Sequence, residues 1–493
     1  MPTSLRKTDH ATALLAQAND ATLFLSKDGE PCASFPESVE HRTVVPLRSA
    51  RFRDWLTARF YKQYQTAPSA AAFRAVLRTL EARARYEEFP IQRVTQRLGF
   101  EGDPYLPTKI ILDLANSSGD VLEITSRGWT LNNNLRTAFR QSTTTLPLPV
   151  PSPQPPVPSP QPMAALRDLL NLPTDDAWHR ALAWLTASLR PTGPYPILVL
   201  NGPAGSGKSV LARALRALID PSSAPIHRFP ARDRELLQLA FHNWILVFDQ
   251  VHRVPHKISE TLCAISSGDA LEINQRDLRD PLVFEVARPM ILIVPHDETQ
   301  RAWTPPRTLA NRTITIQFQH IARPRLEGDI WSAFETIHPA ALAALSDAVS
   351  TALYRIRDID LGNIARFPDS ATWTAAASPA LGLDEAAAIN TFADPNSVWA
   401  GSDPLREAVH ALLEATGSWT GEAADLLNQL SARVPLAALP ATPKGLTQAL
   451  PGMSGVHITR TRDQACRLLK LTRVLDASRQ KAAGDGHPTL VNI

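Results

Sequence analysis

Eight consecutive residues constrain this chain more than any other feature: Gly202-Pro203-Ala204-Gly205-Ser206-Gly207-Lys208-Ser209, a full GxxxxGKS. The octet follows the apolar run Ile197 to Leu200 and precedes a helical pattern from Val210 to Ile219, the strand, loop and helix context in which such a loop cradles phosphate. The glycines let backbone amides turn inward without a Cβ in the way, and the N-terminus of the following helix adds positive potential. Lys208 is expected to reach the β- and γ-phosphates and Ser209 to ligate Mg²⁺. By itself the loop does not separate kinases from GTPases or motors.

A second acid narrows the choice. Trp244 to Phe248 reads as a buried strand that ends on Asp249, 41 residues after Lys208, and a carboxylate there is placed to hold the magnesium shell. Gln250 follows, where hydrolytic motors often carry a glutamate; an amide can orient water but cannot take its proton. Further strands fit at Leu282–Val286, Met290–Val294 and Thr313–Phe318, so an α/β nucleotide-binding core is expected over 163–320.

At 493 residues, with 44% hydrophobic and 20% charged side chains, the chain has room for about three domains and is neither a disordered tail nor a disulfide-stapled scaffold. No run approaches the ~18 apolar residues of a membrane span, and the N-terminal stretch lacks a signal-peptide core, so a cytoplasmic protein is expected. Cys32, Cys263 and Cys466 lie far apart and form no CxxC pair; all three read as structural thiols. Only nine of the 51 basic residues are lysine, a bias that a GC-rich genome explains as well as phosphate recognition does, so basic patches count only where they meet a motif.

Leu146 to Pro162 holds nine prolines in seventeen residues and is expected to be a polyproline spacer, with a ligand for a proline-reading module as the alternative. It separates a basic α+β domain (1–145) from the core. In that domain Ser49–Tyr64 and Ser69–Tyr86 have helical spacing, and Lys109–Trp129 alternates as a hairpin. Asp103, Asp113 and Glu123 are not spaced as a primase's metal acids, and the alternation puts Asp113 and Glu123 on the hairpin's exposed face. Beyond the core come a helical region (321–400), a segment of helices and two strands (401–482) whose order suggests a winged helix, and a tail (483–493).

The succession GPAGSGKS, ILVFDQ, SSGDALEINQRDLRDPLVFEVARPMILIV and TLANRTITIQF resembles the superfamily III helicase ATPases of the AAA+ class, in particular the primase-helicase and ATP-binding modules of phages and integrated elements. The resemblance covers about residues 164 to 475. It implies ATP and Mg²⁺ as cofactors, a homo-oligomeric ring, single-stranded or forked DNA in its channel, and a polymerase or primase as a further partner. It also implies that the turn bearing Arg276 and Arg279 tracks DNA and that Arg312, just before the last core strand, reaches a neighbour's ATP, with Arg307 and Arg301 as competitors. Two positions depart from the pattern: Gln250, and Ile293, where the family commonly carries a polar residue that positions water, His296 and Asp297 being the nearest polar candidates. The C-terminal segment is similar to the winged-helix ends of such proteins, with Glu422 opening the first helix of the pair, Pro443 the recognition helix, and Lys444, Arg460 and Arg462 facing phosphate.

The expected function is therefore an ATP-dependent DNA helicase or translocase in replication of a phage or integrated mobile element. The alternative is an ATP-gated DNA-binding or loading protein that hydrolyses little.

Overall fold

Two serines start the first long helices. Ser49 Oγ accepts the Phe52 amide and Ser69 Oγ the Ala72 amide, each at 3.2 Å, which satisfies orphan donors at both N-termini. The computed structural model describes residues 10–36, 42–133, 138–151, 161–273, 282–295, 303, 305–321, 323–361, 367–393, 404–431, 442–443, 446–447, 450, 456–462 and 467–473. Helix α1 (His10–Ala18), strands β1 (Thr22–Ser26), β2 (Pro31–Pro36) and β3 (Arg42–Pro46), helices α2 (Ala50–Tyr64) and α3 (Ala70–Tyr86), and strand β4 (Ile91–Gln92) form the first layer. The sheet order is β3-β2-β1-β4. Phe52, Leu56 and Phe60 from α2 and Val76 and Leu80 from α3 recur every four residues and close over it with Phe35.

After β5 (Val94–Thr95), strands β6 (Leu98–Gly102), β7 (Pro107–Asp113), β8 (Val121–Thr125) and β9 (Gly128–Asn132) run antiparallel in that order, and β10 (Ala138–Phe139) pairs with β5. The buried face of the four-stranded sheet, Leu98, Ile110, Leu112, Leu122 and Ile124, belongs to the same hydrophobic core as the phosphate-loop strand. This sheet is thus an extension of the core, not part of a tethered domain. The proline-rich segment begins the same way: Leu146 N–H donates to Pro221 O at 3.0 Å, Leu148 N–H to Leu114 O at 2.8 Å, and Leu148 is buried. Its first residues are strapped to the body, while 152–160 lie outside the described residues. Asp113, expected on an exposed face, is 4% exposed; its carboxylate caps the turn by accepting Ala115 N–H at 2.8 Å. Alternation failed there because the end of β7 is covered on both faces.

The core follows: α4 (Gln161–Leu169), α5 (Asp175–Ala187), β11 (Ile197–Gly202), α6 (Lys208–Ala217), β12 (His227–Arg228), α7 (Asp233–His242), β13 (Leu246–Asp249), α8 (His256–Ser267), β14 (Ala270–Ile273), β15 (Leu282–Glu285), β16 (Met290–Pro295), α9 (Arg307–Ala310) and β17 (Thr313–Gln317). Five strands make a parallel sheet in the order β12-β13-β16-β11-β17. Strand β15, which the apolar pattern put in that sheet, instead pairs antiparallel with β14, from Ala270↔Glu285 to Ile273↔Leu282. The two legs bracket residues 274–281, which lie outside the described residues together with Arg276 and Arg279. Helices α10 (Glu327–Arg355), α11 (Pro368–Leu381) and α12 (Glu385–Ala393) complete this unit. Trp129 Nε1 donates to Asp347 on α10 at 3.0 Å and Ser350 Oγ to Thr125 O at 2.7 Å, tying α10 to the antiparallel sheet.

A second compact unit holds α13 (Pro404–Thr416), β18 (Ser418–Glu422), α14 (Ala423–Ser431), β19 (Val456–Arg462) and β20 (Arg467–Arg473), with its own core of Val409, Leu413, Leu426, Leu430, Leu446 and Leu471. The strands form an antiparallel sheet in the order β18-β20-β19. Glu422, expected to open a helix, is instead the last residue of β18, paired with Leu468. Among the described residues no helix is long and apolar enough to cross a membrane.

A buried polar knot fastens the layers of the first unit. Asp220, after α6, accepts Arg97 Nε at 3.2 Å through one carboxylate oxygen and the Trp244 and Ile245 amides at 3.1 Å through the other. Arg97 also donates to Asp113 O and Leu146 O, both at 2.9 Å. Arg216, at the end of α6, reaches Asn243 Oδ1 at 2.7 Å, and Gln96 Nε2 reaches Phe241 O at 2.7 Å. Truncating one partner of a buried pair leaves the other charge unpaired, so Arg97→Ala should destabilise this unit by about 3–5 kcal/mol. A lower urea midpoint with a native-like far-ultraviolet spectrum is the expected readout.

Candidate nucleotide-binding site

Strand β11 is buried along its whole length and paired in parallel on both sides, from Ile197↔Met290 to Gly202↔Pro295 with β16 and from Ile197↔Thr313 to Asn201↔Gln317 with β17. Every strand of this sheet therefore ends at the same edge, and the loop 203–207 emerges there before α6 begins at Lys208. Gly202 has φ +149°, and a Cβ on it would stand 2.6 Å from Phe318 Cβ and 2.7 Å from Phe318 O. Phe318 cannot retreat, because its own amide donates to Asn201 O at 2.7 Å. Gly205, at φ +69°, meets nothing within 4 Å and needs glycine for its backbone conformation alone. Asn171, from the turn after α4, donates Nδ2 to Ser206 O at 3.0 Å and holds the loop from outside.

Lys208 is folded back onto the loop, its ammonium donating to Gly202 O and Pro203 O, each at 2.6 Å. Burial holds this ammonium below the ordinary lysine range, and the Asp249 carboxylate works in the opposite direction. The two side chains are therefore electrostatic neighbours at one sheet edge. Strands β11 and β13 flank β16, roughly 10 Å apart at ~4.8 Å per strand. Asp249 is partly buried and accepts the Gln250 amide at 2.7 Å. Gln250 is exposed with φ +58°, a left-handed conformation that non-glycine residues seldom adopt. Ile293 is buried and paired with Leu200.

A cavity of about 450 Å³ opens beside the loop, lined by Asn171, Gly205 to Val210, Arg323, Arg325 and also the acids Asp168 and Glu327. Asn171, Phe318 and the two arginines were not legible as site residues. A signal for the arginines did exist: the chain leaving β17, a parallel neighbour of β11, must surface at the phosphate-loop edge, and Arg323-Pro324-Arg325 follows within eight residues of Gln317. Among the described residues no group of three or more His, Cys, Asp or Glu is gathered as a metal site. A hydroxyl and a carboxylate at Ser209 and Asp249 fit a magnesium ion whose remaining ligands come from phosphate and water.

Arg312 lies elsewhere. It precedes β17 at the opposite edge of the sheet, its carbonyl accepting Ile197 N–H at 2.8 Å and its guanidinium donating to the Ser267 hydroxyl. A five-residue strand is ~16 Å long, so Arg312 does not meet the loop of its own chain. Arg301, His296 and Asp297 lie outside the described residues, as does Lys444, and the Arg307 side chain is not described. Arg460 and Arg462 lie on the edge strand β19, in register with Leu469 and Arg467.

Residues 163–395 match the family model of the actinomycete integrative conjugative element replication protein. No curated protein matches the chain. Similar solved structures include the SCCmec type IV Cch helicase (12% identity, TM-score 0.44, 93% of this chain and 94% of that one) and the apo NrS-1 C-terminal region (10% identity, TM-score 0.39, 96% and 100%). The JCV helicase is similar over a shorter span (17% identity, TM-score 0.24, 46% and 66%). These are remote likenesses.

The two glycines separate folding from binding. Gly205→Ala should cost about 1–2 kcal/mol for its left-handed backbone and leave the fold intact, whereas Gly202→Ala collides with backbone and should lower the melting temperature further. Both should lose MgATP in calorimetric titration. Equal melting temperatures for the two variants would refute the packing argument at Phe318.

Proposed function

We propose that this chain is an ATP-dependent motor of the AAA+ class, a DNA helicase or translocase in replication of an integrated element. The observation that carries the reading is the GxxxxGKS loop and Asp249 at one edge of a parallel sheet, with Lys208 already donating to loop carbonyls that a phosphate would replace. Family-model similarity over the same residues to a replication protein of integrative conjugative elements supports the biological setting. In this reading Gly202 to Ser209 enclose the triphosphate, Ser209 and Asp249 hold Mg²⁺, and Arg323 and Arg325, which line the same cavity, meet the nucleotide. Bound Mg²⁺ supplies neutralisation of phosphate charge. The C-terminal unit serves as a winged helix in which Lys444, Arg460 and Arg462 contact DNA, and the turn of the β14–β15 hairpin brings Arg276 and Arg279 to the strand in the channel of a ring. A polymerase or primase is the natural further partner.

Arg312 acts in trans in this account, since its own loop lies a strand length away. Arg312→Ala should then bind ATP normally and lose turnover, an effect of about 10³-fold or more in P-loop enzymes with such a finger. Mixing it with Lys208→Ala should restore activity, because an intact pocket can meet an intact finger at a mixed interface. Mixed rings without activity would exclude Arg312 and leave Arg307 or Arg301.

A second reading, ATP-gated DNA binding with little hydrolysis, is favoured by Gln250 and Ile293: neither can take a proton from water. Gln250→Glu distinguishes the two. If the amide limits turnover, the rate should rise with ATP affinity unchanged within a few-fold. A fall in rate would make Gln250 the residue that orients water.

A further inference from the structure

A second cavity, of about 630 Å³, lies away from the phosphate loop, between the first layer and the end of α7. Four arginines (Arg48, Arg51, Arg85 and Arg140) and two glutamates (Glu30 and Glu81) line it, so positive charge predominates. Each glutamate already holds an arginine: Glu81 takes Arg48 at 2.6 Å, and Glu30 takes Arg140.

Arg140 is the informative residue. Its side chain is 8% exposed and lies 4.1 Å over the Phe241 ring. One nitrogen, Nη2, donates to Glu30, and the guanidinium also bears on the buried Cys32 thiol, while Nε and Nη1 have no oxygen or nitrogen partner. His227 Nε2, on the same wall, is also buried and unpartnered. Four arginines against two glutamates leave net positive charge on the cavity wall, with the Arg140 guanidinium buried in it, and charge-assisted hydrogen bonds to an anionic oxygen are the strong ones, so the lining favours an anionic ligand. The N-terminal turn of α2, from its Ser49 cap to Arg51, lines the cavity as well, and a helix N-terminus favours an anion. Pro46, Leu239 and Phe241 add an apolar wall. The volume exceeds what a lone phosphate fills and suits a ligand of small-molecule size that combines a ring with an anionic group.

We propose that this cavity binds a nucleoside phosphate, free or at the end of a nucleic-acid strand, with the phosphate toward the arginines and the base against Pro46, Leu239 and Phe241. The site is separate from the phosphate loop and stands whether or not that loop hydrolyses ATP. Asn243, whose side chain receives Arg216 from α6, also borders it, so the cavity shares a wall with the segment that enters β13.

The test uses the full chain carrying Lys208→Ala, which silences the phosphate loop. It is titrated calorimetrically with each of the four deoxynucleoside 5′-monophosphates, and with a mixed-sequence tetranucleotide with and without a 5′-phosphate. At least one phosphorylated probe should bind at one equivalent per chain, and the unphosphorylated tetranucleotide should bind more weakly. Binding by the monophosphates indicates a free nucleotide; binding by the phosphorylated tetranucleotide alone indicates a strand end. Arg85→Glu, an exposed change on α3 that spares the core, should weaken binding by about tenfold or more, and Arg140→Gln should do the same where it folds. No saturable binding by any phosphorylated probe, Arg85-dependent binding that is equal without the 5′-phosphate, or a loss in Arg85→Glu of less than tenfold overturns the proposal.

Discussion

Parallel pairing of β11 on both sides is the constraint on which the rest of the structure depends. A strand buried over its whole length and hydrogen-bonded to β16 and β17 has one direction and one register, and these decide which residues share an edge. The loop 203–207, Asp249 and the chain leaving β17 all emerge on the C-terminal side, where backbone amides, a lysine and a carboxylate meet; Arg312 enters from the other side. In open α/β sheets ligands bind at the carboxyl ends of the strands, and the cavity beside Lys208 is at that edge. Glycine at 202 is as much a packing requirement as a phosphate requirement, because Phe318 occupies the space that a side chain would need.

What the sequence made legible follows from local physics. Ile197 to Leu200 and Trp244 to Phe248 are short apolar runs bounded by turn chemistry; the first lies wholly in a strand and the second from Leu246 onward, and Ser49 and Ser69 are caps before helical stripes, and both start helices. The octet from Gly202 to Ser209 announced its own strand, loop and helix. Errors arose where tertiary context decided. Leu282 to Glu285 has the apolar character of a core strand, yet its partner is β14, a choice that periodicity does not encode. Asp113 obeys the alternation of an exposed position but is covered by the chain that returns through Arg97 and Gln141. Prolines after Leu146 suggested a free spacer, and Leu146 and Leu148, on either side of Pro147, anchor its start through their backbones to Pro221 and Leu114. Asn171, Arg323 and Arg325 belong to no motif; they line the site because the turn after α4 and the exit from β17 converge on the same edge.

The polar knot around Asp220 changes how the N-terminal half should be understood. A basic domain on a proline tether would move independently of the ATPase core, but Arg97 joins Asp220, Asp113 and Leu146, while Gln96 joins Phe241. Asp220 in turn holds the amides that open β13, the strand ending on Asp249. Unpairing a buried charge is expensive, so these contacts bind the two layers into one cooperative body. A ligand in the arginine-lined cavity would act on that body, not on a detachable arm.

The central claim is that the phosphate loop drives work on DNA. Steady-state ATP hydrolysis by the full chain, measured with and without single-stranded DNA and alongside Lys208→Ala, tests it most directly. The account predicts MgATP hydrolysis that rises when single-stranded DNA is added and vanishes in Lys208→Ala. Hydrolysis that ignores DNA, or that survives the loss of the Lys208 ammonium, would contradict it.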